Sequence, residues 1–381
     1  MASSPTSAPF TNWQQLLLAD MRQDMTFTAN FSGSDIDDEQ FTAAVATAMR
    51  CCAALSSRVA LQPTGHNKIA YDATIIENAV GNLRISDYPN KNENCKQLFA
   101  VSIVRTATSS LLLHLTASPL IWDIASYHNF MLCLDEAYAG KPLYPEALTF
   151  IDHALAEEAQ RNTAEHLSHQ LLCRRTLTPF ATKCHDSKVC VKEIMLNVSA
   201  EQMQHCCHTT RVSAERLTAA IFAMCVAQAE KTADVAFTML HDQRLDNPAA
   251  AYTTGSLMPE QPVVAHCTPT SSWQCVATSL STLSACAYAD FVCSTATRLS
   301  HTVAYLGNML CHPAACCASV TESISFSIAP NADFGLFVYQ NSPGCHTLRA
   351  EYHSASFSEQ QVSTFLQHYA HLLTQAVTTI P

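Results

Sequence analysis

Residues 26–55 constrain the chain most. Thr26–Phe31 (TFTANF) alternates polar and apolar side chains, so one face of a strand turns toward a core and the other away from it. The acidic turn Asp35–Asp38 then supplies caps and first-turn carboxylates for a helix whose apolar stripe runs through Phe41, Val45, Ala48, Cys52 and Leu55. A one-faced strand followed at once by a one-faced helix buries both faces only in a layered α+β arrangement.

The same alternation continues along the chain. Arg58–Asp72 (RVALQPTGHNKIAYD) reads as two strands around a Pro-Thr-Gly turn, and Leu98–Arg105 and Ser110–Leu115 read as two more. A helix starts near Ala125 and ends in Tyr138-Ala-Gly140, with Gly140 as its C-terminal cap. A polar helix, Ile151–Cys173, and a Pro-containing loop follow. The grammar then returns without the sequence repeating. Strand Val191–Asn197 precedes a helix from Ser199, and a second helix is capped by Ser213 and runs through Lys231. Strands Val235–Leu240 and Val263–Cys267 come next, then a Ser/Thr/Ala/Cys-rich helical stretch over 271–305. Strands Ile324–Ala329, Phe334–Tyr339 and Thr347–Tyr352 and a helix Ser358–Thr374 close the chain. Residues before Thr26 read as a short polar tail. The expected organisation is two α+β halves, 1–150 and 191–381, joined by a bridging helix and linker over 151–190.

Composition excludes several function classes. Hydrophobic residues make up 48% and charged residues 14%, which rules out disorder through low hydrophobicity. With 21 basic against 32 acidic side chains the net charge is −11, the wrong sign for a phosphate-tracking surface, so no nucleic-acid partner is expected. No apolar run approaches the roughly 20 residues that span a bilayer. Leu111–Ala125 and Ala219–Ala229 are interrupted by His114, Asp123 and Gln228, so no membrane association is expected. The opening MASSPTSAPFTNWQ has no basic residue and no apolar core of a signal peptide, which points to a cytoplasmic protein whose 18 cysteines are thiols.

Eight scattered glycines leave no Walker loop and no GxGxxG, so no cofactor is expected. Cysteine and histidine crowd at Cys184-His185-x4-Cys190, His205-Cys-Cys-His208 and Cys311-His312-x3-Cys316-Cys317. Adjacent side chains on a helix or strand diverge, and no CxxC…CxxC or HxxxH frame surrounds them, so no metal site is expected.

Several local strings, in order, resemble a condensation domain of nonribosomal peptide synthetases, a member of the chloramphenicol-acetyltransferase-like, CoA-dependent acyltransferase superfamily. DFGLFVYQNSPGCHTLRAEYHSASFSEQQVSTFLQHYAHLLTQ, residues 333–375, is similar to that family's closing strand–strand–helix unit, including Glu351-Tyr352 and "HYAHLL". LSSRVAL stands where the family has "LRTRF", and Asp135-Glu-Ala-Tyr-Ala-Gly140 resembles its "LYAG". The likeness covers about Phe10 to Pro381. It implies two chloramphenicol-acetyltransferase-like subdomains forming a V-shaped pseudo-dimer around a central crevice.

The family's reaction centre is HHxxxDG in that crevice, its second histidine serving as general base. Counting back from Tyr138 sets the motif on Ser118-Pro119-Leu120-Ile121-Trp122-Asp123-Ile124; counting forward from the preceding strand sets the histidine pair on Thr116-Ala117. Neither register holds a histidine, and Ser, Pro, Thr and Ala take no proton near neutral pH. In the first register Asp123 is kept. The family pairs this aspartate with an arginine after the next half's central strand, and Phe237-Thr-Met-Leu-His-Asp-Gln-Arg244 puts Arg244 there. Thr116, Ser118 and Trp122 are then the crevice residues. His241 and Asp242 are the candidates for a relocated base, their plainer reading being polar loop residues. His114 reads as a packed or edge histidine, and Ser118 lacks the base and elbow of a nucleophile.

The resemblance thus implies a natural-product biosynthesis enzyme without the histidine base, cyclising or rearranging a polyketide or peptide-derived intermediate, small or carrier-bound. Two alternatives stand beside it: a non-catalytic pseudo-condensation module that binds a carrier protein or partner enzyme, and an acyltransferase with a relocated base.

Overall fold

Strand Met25–Ser32 lies inside a five-stranded sheet, and its alternation is the reason. Met25, Phe27, Ala29 and Phe31 are buried while the intervening residues are half-buried, so the strand has one core face. The structure, a computed structural model, describes residues 7–20, 24–33, 36–62, 67–86, 98–161, 177–179, 188–282, 292, 297–308, 319–325, 332–342 and 344–379. They divide into two units. The first draws on Met1–Ala164, Asp242–Met258 and Cys311–Ser327, the second on Glu165–His241, Pro259–Leu310 and Ile328–Pro381.

In the first unit the sheet order is Ser319–Ser325, Met25–Ser32, Ser110–Ala117, Phe99–Ala107, Ile85–Ser86. All neighbours are antiparallel except the last pair. Helices Asp38–Cys51 and Ile124–Tyr138 cover the core face. Phe31 meets Phe41 edge-on at 4.9 Å and Phe27 stacks on Tyr127 at 4.5 Å. Each such fully buried ring stabilises the layer by about 1.5–3 kcal/mol. Asp37 caps the first helix by accepting from Gln40 N, and Asp123 caps the second through Ser126 N. Gly140, at φ +69°, ends that helix in the left-handed region that favours glycine. A small sheet of Ser7–Pro9, Lys68–Tyr71 and Ser57–Ala60 packs beside helix Phe150–Arg161.

The second unit is built on a seven-stranded sheet in the order Ser281–Thr282, Glu260–His266, Asp234–Leu240, His301–Asn308, Phe334–Ser342, Cys345–His353, Val189–Leu196. His301–Asn308 runs parallel to both its neighbours; the other pairs are antiparallel. Helices Ala214–Glu230 and Glu359–Thr378 share its core, tied by Tyr369 Oη donating to Thr218 O at 3.2 Å. Ser199 and Ser358 start their helices with complete capping boxes.

Three expectations need correction, and one helix goes unread. The polar tail is a strand, Ser7–Pro9, and a helix, Asn12–Asp20, because Phe10, Trp13, Leu16 and Leu17 are buried and anchor it. Of the stretch read as helical over 271–305, the described residues form a short helix, Trp273–Ser279, strands Ser281–Thr282, Thr297–Leu299 and His301–Asn308, and a helical residue at Val292; 283–291 and 293–296 lie outside the described residues. A central parallel strand is covered on both faces and shows no alternation, so Ala/Ser/Thr composition misleads there. The strand placed at Ile324–Ala329 is Ser319–Ser325, paired with Met25–Ser32; residues 326–329 lie outside the described residues. Helix Ala73–Gly81, unread in the sequence, is capped by Asp72. Of helix Ile151–Cys173 the described part is Phe150–Arg161.

Candidate functional site

Strand Ser110–Ala117, the middle strand of its sheet, ends at Ala117, and the backbone then turns: Ser118 N donates to Leu98 O and Ile121 N to Ser118 O. That turn delivers Asp123 to the start of helix Ile124–Tyr138, buried with 9% of its side chain exposed. Arg244 arrives from the 3-10 turn Gln243–Asp246, with 4% of its side chain exposed. The two meet in a bidentate ion pair: Nη1 donates to Asp123 Oδ2 and Nη2 to Asp123 Oδ1, each at 3.0 Å.

A buried pair is tolerable only if its remaining hydrogen-bonding groups are satisfied. Here they are. Arg244 Nε donates to Thr253 O at 2.7 Å, Nη1 to Asp242 Oδ1 at 2.9 Å, and Nη2 to Ser126 Oγ at 3.1 Å and Gly255 O at 3.0 Å. Asp123 also accepts from Ser126 N, Ser126 Oγ and Leu257 N at 2.7–2.9 Å. Burial works against the charge of Arg244, but Asp123 and Asp242 outweigh it and hold its pKa above the ordinary value. Burial raises Asp242 in spite of Arg244. Gly255 sits at φ +149°, where a Cβ would come within 2.5 Å of the Phe150 ring.

One more carboxyl belongs to this neighbourhood. Glu146 Oε1 accepts from Ala53 N and from Thr254 Oγ1, while its buried Oε2 has no hydrogen-bond partner among the described residues. Burial pushes its pKa up to about 7, against the hydrogen bonds and Arg244, which lower it.

Thr116 Oγ1 lies 3.4 Å from Thr26 Oγ1, half-buried on the sheet face away from the helices. Ser118 is buried and its Oγ accepts from Leu120 N at 3.4 Å. Trp122 is 1% exposed, edge-on to Phe130 at 6.5 Å, and its Nε1 makes no hydrogen bond among the described residues. His114 shares the face of Thr116, half-buried, and burial lowers its pKa. Asp242 is engaged with Arg244. His241, in the second unit, points Nδ1 at Glu215 Oε2 from 3.9 Å.

Among the described residues no group of three His, Cys, Asp or Glu side chains is placed to hold a metal, and no disulfide joins two of the described cysteines. His205, Cys206, Cys207 and His208 lie on helix Ala200–Thr210; Cys184, His185, Cys311, His312, Cys316 and Cys317 lie outside the described residues. No single helix among them is long and apolar enough to cross a membrane.

Ser126, Thr253, Gly255, Leu257 and Glu146 did not stand out in the sequence. Two of them carried a signal: Ser126 stands three residues after its capping aspartate, and Gly255 is one of only eight glycines.

The strand order, the helices over each sheet and the buried Asp–Arg pair define a chain with the two-subdomain, chloramphenicol-acetyltransferase-like fold of condensation domains. Among solved structures, it is similar to the condensation domain from Monacolin K polyketide synthase (TM-score 0.73, 10% identity, covering 98% of this chain and 98% of that one). It is similar also to the epimerization domain from the third module of tyrocidine synthetase B (0.72, 14%, 97% and 96%). A third likeness is to the X-domain of teicoplanin biosynthesis, in complex with OxyB (0.66, 12%, 100% and 95%). At these identities the likeness is one of fold. No family model matches the chain, and no curated protein is similar to it in sequence.

Proposed function

We propose that the chain is an enzyme of natural-product biosynthesis that works without the histidine pair of condensation domains, cyclising or rearranging a polyketide or peptide-derived chain. One observation carries this reading. The Asp123–Arg244 support is complete to its last hydrogen bond, while Ser118 and Pro119 occupy the positions that precede it in the family's motif. Retaining a buried ion pair is costly unless the geometry it holds is used. The fold neighbours, drawn from peptide and polyketide synthases, support a biosynthetic setting.

Thr116 and Ser118 line the path of a small or carrier-bound substrate, and Trp122 backs them from the core. No strong base is required, because holding a long chain in a reactive conformer contributes up to roughly 7–11 kcal/mol. Purified protein should then neither hydrolyse nor transfer simple acyl-CoAs.

A second reading, a non-catalytic module that seats a partner, is favoured by the neighbour that was captured with OxyB. The test compares Ser118→Trp with His241→Ala in the product profile of the producing pathway. Loss of product with Ser118→Trp, and a change within about tenfold with His241→Ala, is expected. Loss with His241→Ala alone assigns the base to His241 and makes the chain an acyltransferase. No change with either leaves the partner-binding module.

A further inference from the structure

The second unit holds a cavity of about 600 Å³ between helices Ala214–Glu230 and Glu359–Thr378. Its floor is aromatic. Phe334 meets Phe365 at 5.0 Å and Phe357 at 5.5 Å, and His301 lies 6.0 Å from Phe357 and 6.2 Å from Phe334. That volume falls in the range of about 300–1,000 Å³ typical of small-molecule sites.

One carboxylate stands beside this floor without a cation to balance it among the described residues. Glu230 Oε1 stands 3.5 Å from His301 Nε2, and among the described residues no lysine or arginine lies within 4.0 Å of its carboxylate. Burial holds His301 neutral near pH 7, so it does not balance that charge. His368 also lines the cavity, and its Nε2, itself buried, has no hydrogen-bond partner among the described residues. Buried unsatisfied nitrogen is uncommon in folded chains, and an occupant with N–H donors would satisfy it.

We propose that this cavity is a binding site for a protonated amine attached to an aromatic body, the ring lying on Phe334, Phe357 and Phe365 and the ammonium held by Glu230. The π faces favour the same charge as the carboxylate, since a cation within about 6 Å of a ring is attracted to it. A carboxylic acid of the same shape would meet Glu230 with like charge. The site is independent of the proposed chemistry near Asp123.

Titration calorimetry on the whole chain tests this with three probes of one shape: tryptamine, N-acetyltryptamine and indole-3-propionate. Tryptamine should bind at least about tenfold more tightly than its acetylated form, and indole-3-propionate should not bind. Glu230→Gln should erase the preference for the amine. Thr364→Trp, at an exposed position on the cavity wall, should block both tryptamine and N-acetyltryptamine without lowering the melting temperature. The proposal is overturned if tryptamine does not bind, if it binds no better than N-acetyltryptamine, or if either variant leaves its affinity unchanged.

Discussion

The two units solve the problem of a buried ionisable group in opposite ways. In the first, Arg244 keeps its charge, and every polar atom of the guanidinium is taken up by a carboxyl, a hydroxyl or a carbonyl. In the second, His301 is buried among Phe222, Phe334 and Phe357 and gives up its charge, its pKa lowered by burial to about 4. Pairing needs partners from several segments at once; neutralisation needs only apolar neighbours. The first arrangement fixes the course of Thr253–Leu257 and the start of a helix, whereas the second leaves room for a cavity beside the ring.

Breaking the charged arrangement should produce the largest effect. Arg244→Met leaves Asp123 and Asp242 buried without their cation, and a loss of about 3–5 kcal/mol in the stability of the first unit is expected. Urea unfolding followed by the fluorescence of Trp122, in a Trp13→Phe, Trp273→Phe background, measures it. A loss below about 1 kcal/mol would mean the pair is not held in the low-dielectric setting described.

Gly255→Ala tests the same segment through its backbone. The residue sits at φ +149°, and an added Cβ would press on Phe150. Strain of this kind costs about 1–3 kcal/mol. The loss should appear in the transition of the first unit and leave the second unit's unchanged.

Much of the framework is legible in the sequence, because caps and periodicities are local. Asp37, Ser199, Ser213 and Ser358 announce their helices, and the alternation of Thr26–Phe31 announces its strand. Where the deciding interaction is distant, reading fails. Helix Asn12–Asp20 hides in a polar-looking tail because its apolar residues matter only once the fold covers them. Strand His301–Asn308 hides because its neighbours come from both sides of it in the chain. At the site, Asp123 and Arg244 are legible through the resemblance, which sets both on positions of the family's strings. The groups that complete the cluster are not, since Thr253 O, Gly255 O and Leu257 N are main-chain atoms any residue supplies. Glu146 is hidden for a different reason: only burial makes it unusual.

The contrast between units sharpens with pH. Glu146 has a folded pKa of about 7 against an ordinary 4.5, so it binds its proton more tightly when folded. Its contribution is complete below about pH 4.5 and is lost as pH rises through 7. His301 is the mirror case, about 4 against 6.5. Its contribution is complete above about pH 6.5 and is lost as pH falls through 4. Stability measured from pH 4 to 8 should therefore gain from Glu146→Gln a flatter slope between 4.5 and 7 in the first unit. His301→Phe should flatten the second unit's slope between 4 and 6.5. A slope that survives its substitution would reassign the proton.

The smallest effect belongs to an arginine pair that looks stronger than the buried one by distance alone. Arg50 Nε and Nη2 donate to the two carboxylate oxygens of Glu77, both at 2.8 Å, shorter than either contact between Arg244 and Asp123. Yet the side chains are 46% and 56% exposed. Water already solvates both charges, so the gain on pairing is small and salt screens it further. Arg50→Ala should change the first unit's stability by about 0.5 kcal/mol or less, and raising the salt to 1 M should remove most of that difference. Arg244→Met should keep its deficit in the same salt, because ions do not reach the buried pair. If both deficits shrank alike, burial would not be what separates them, and the contrast between the interior pair and the surface pair would fall with it.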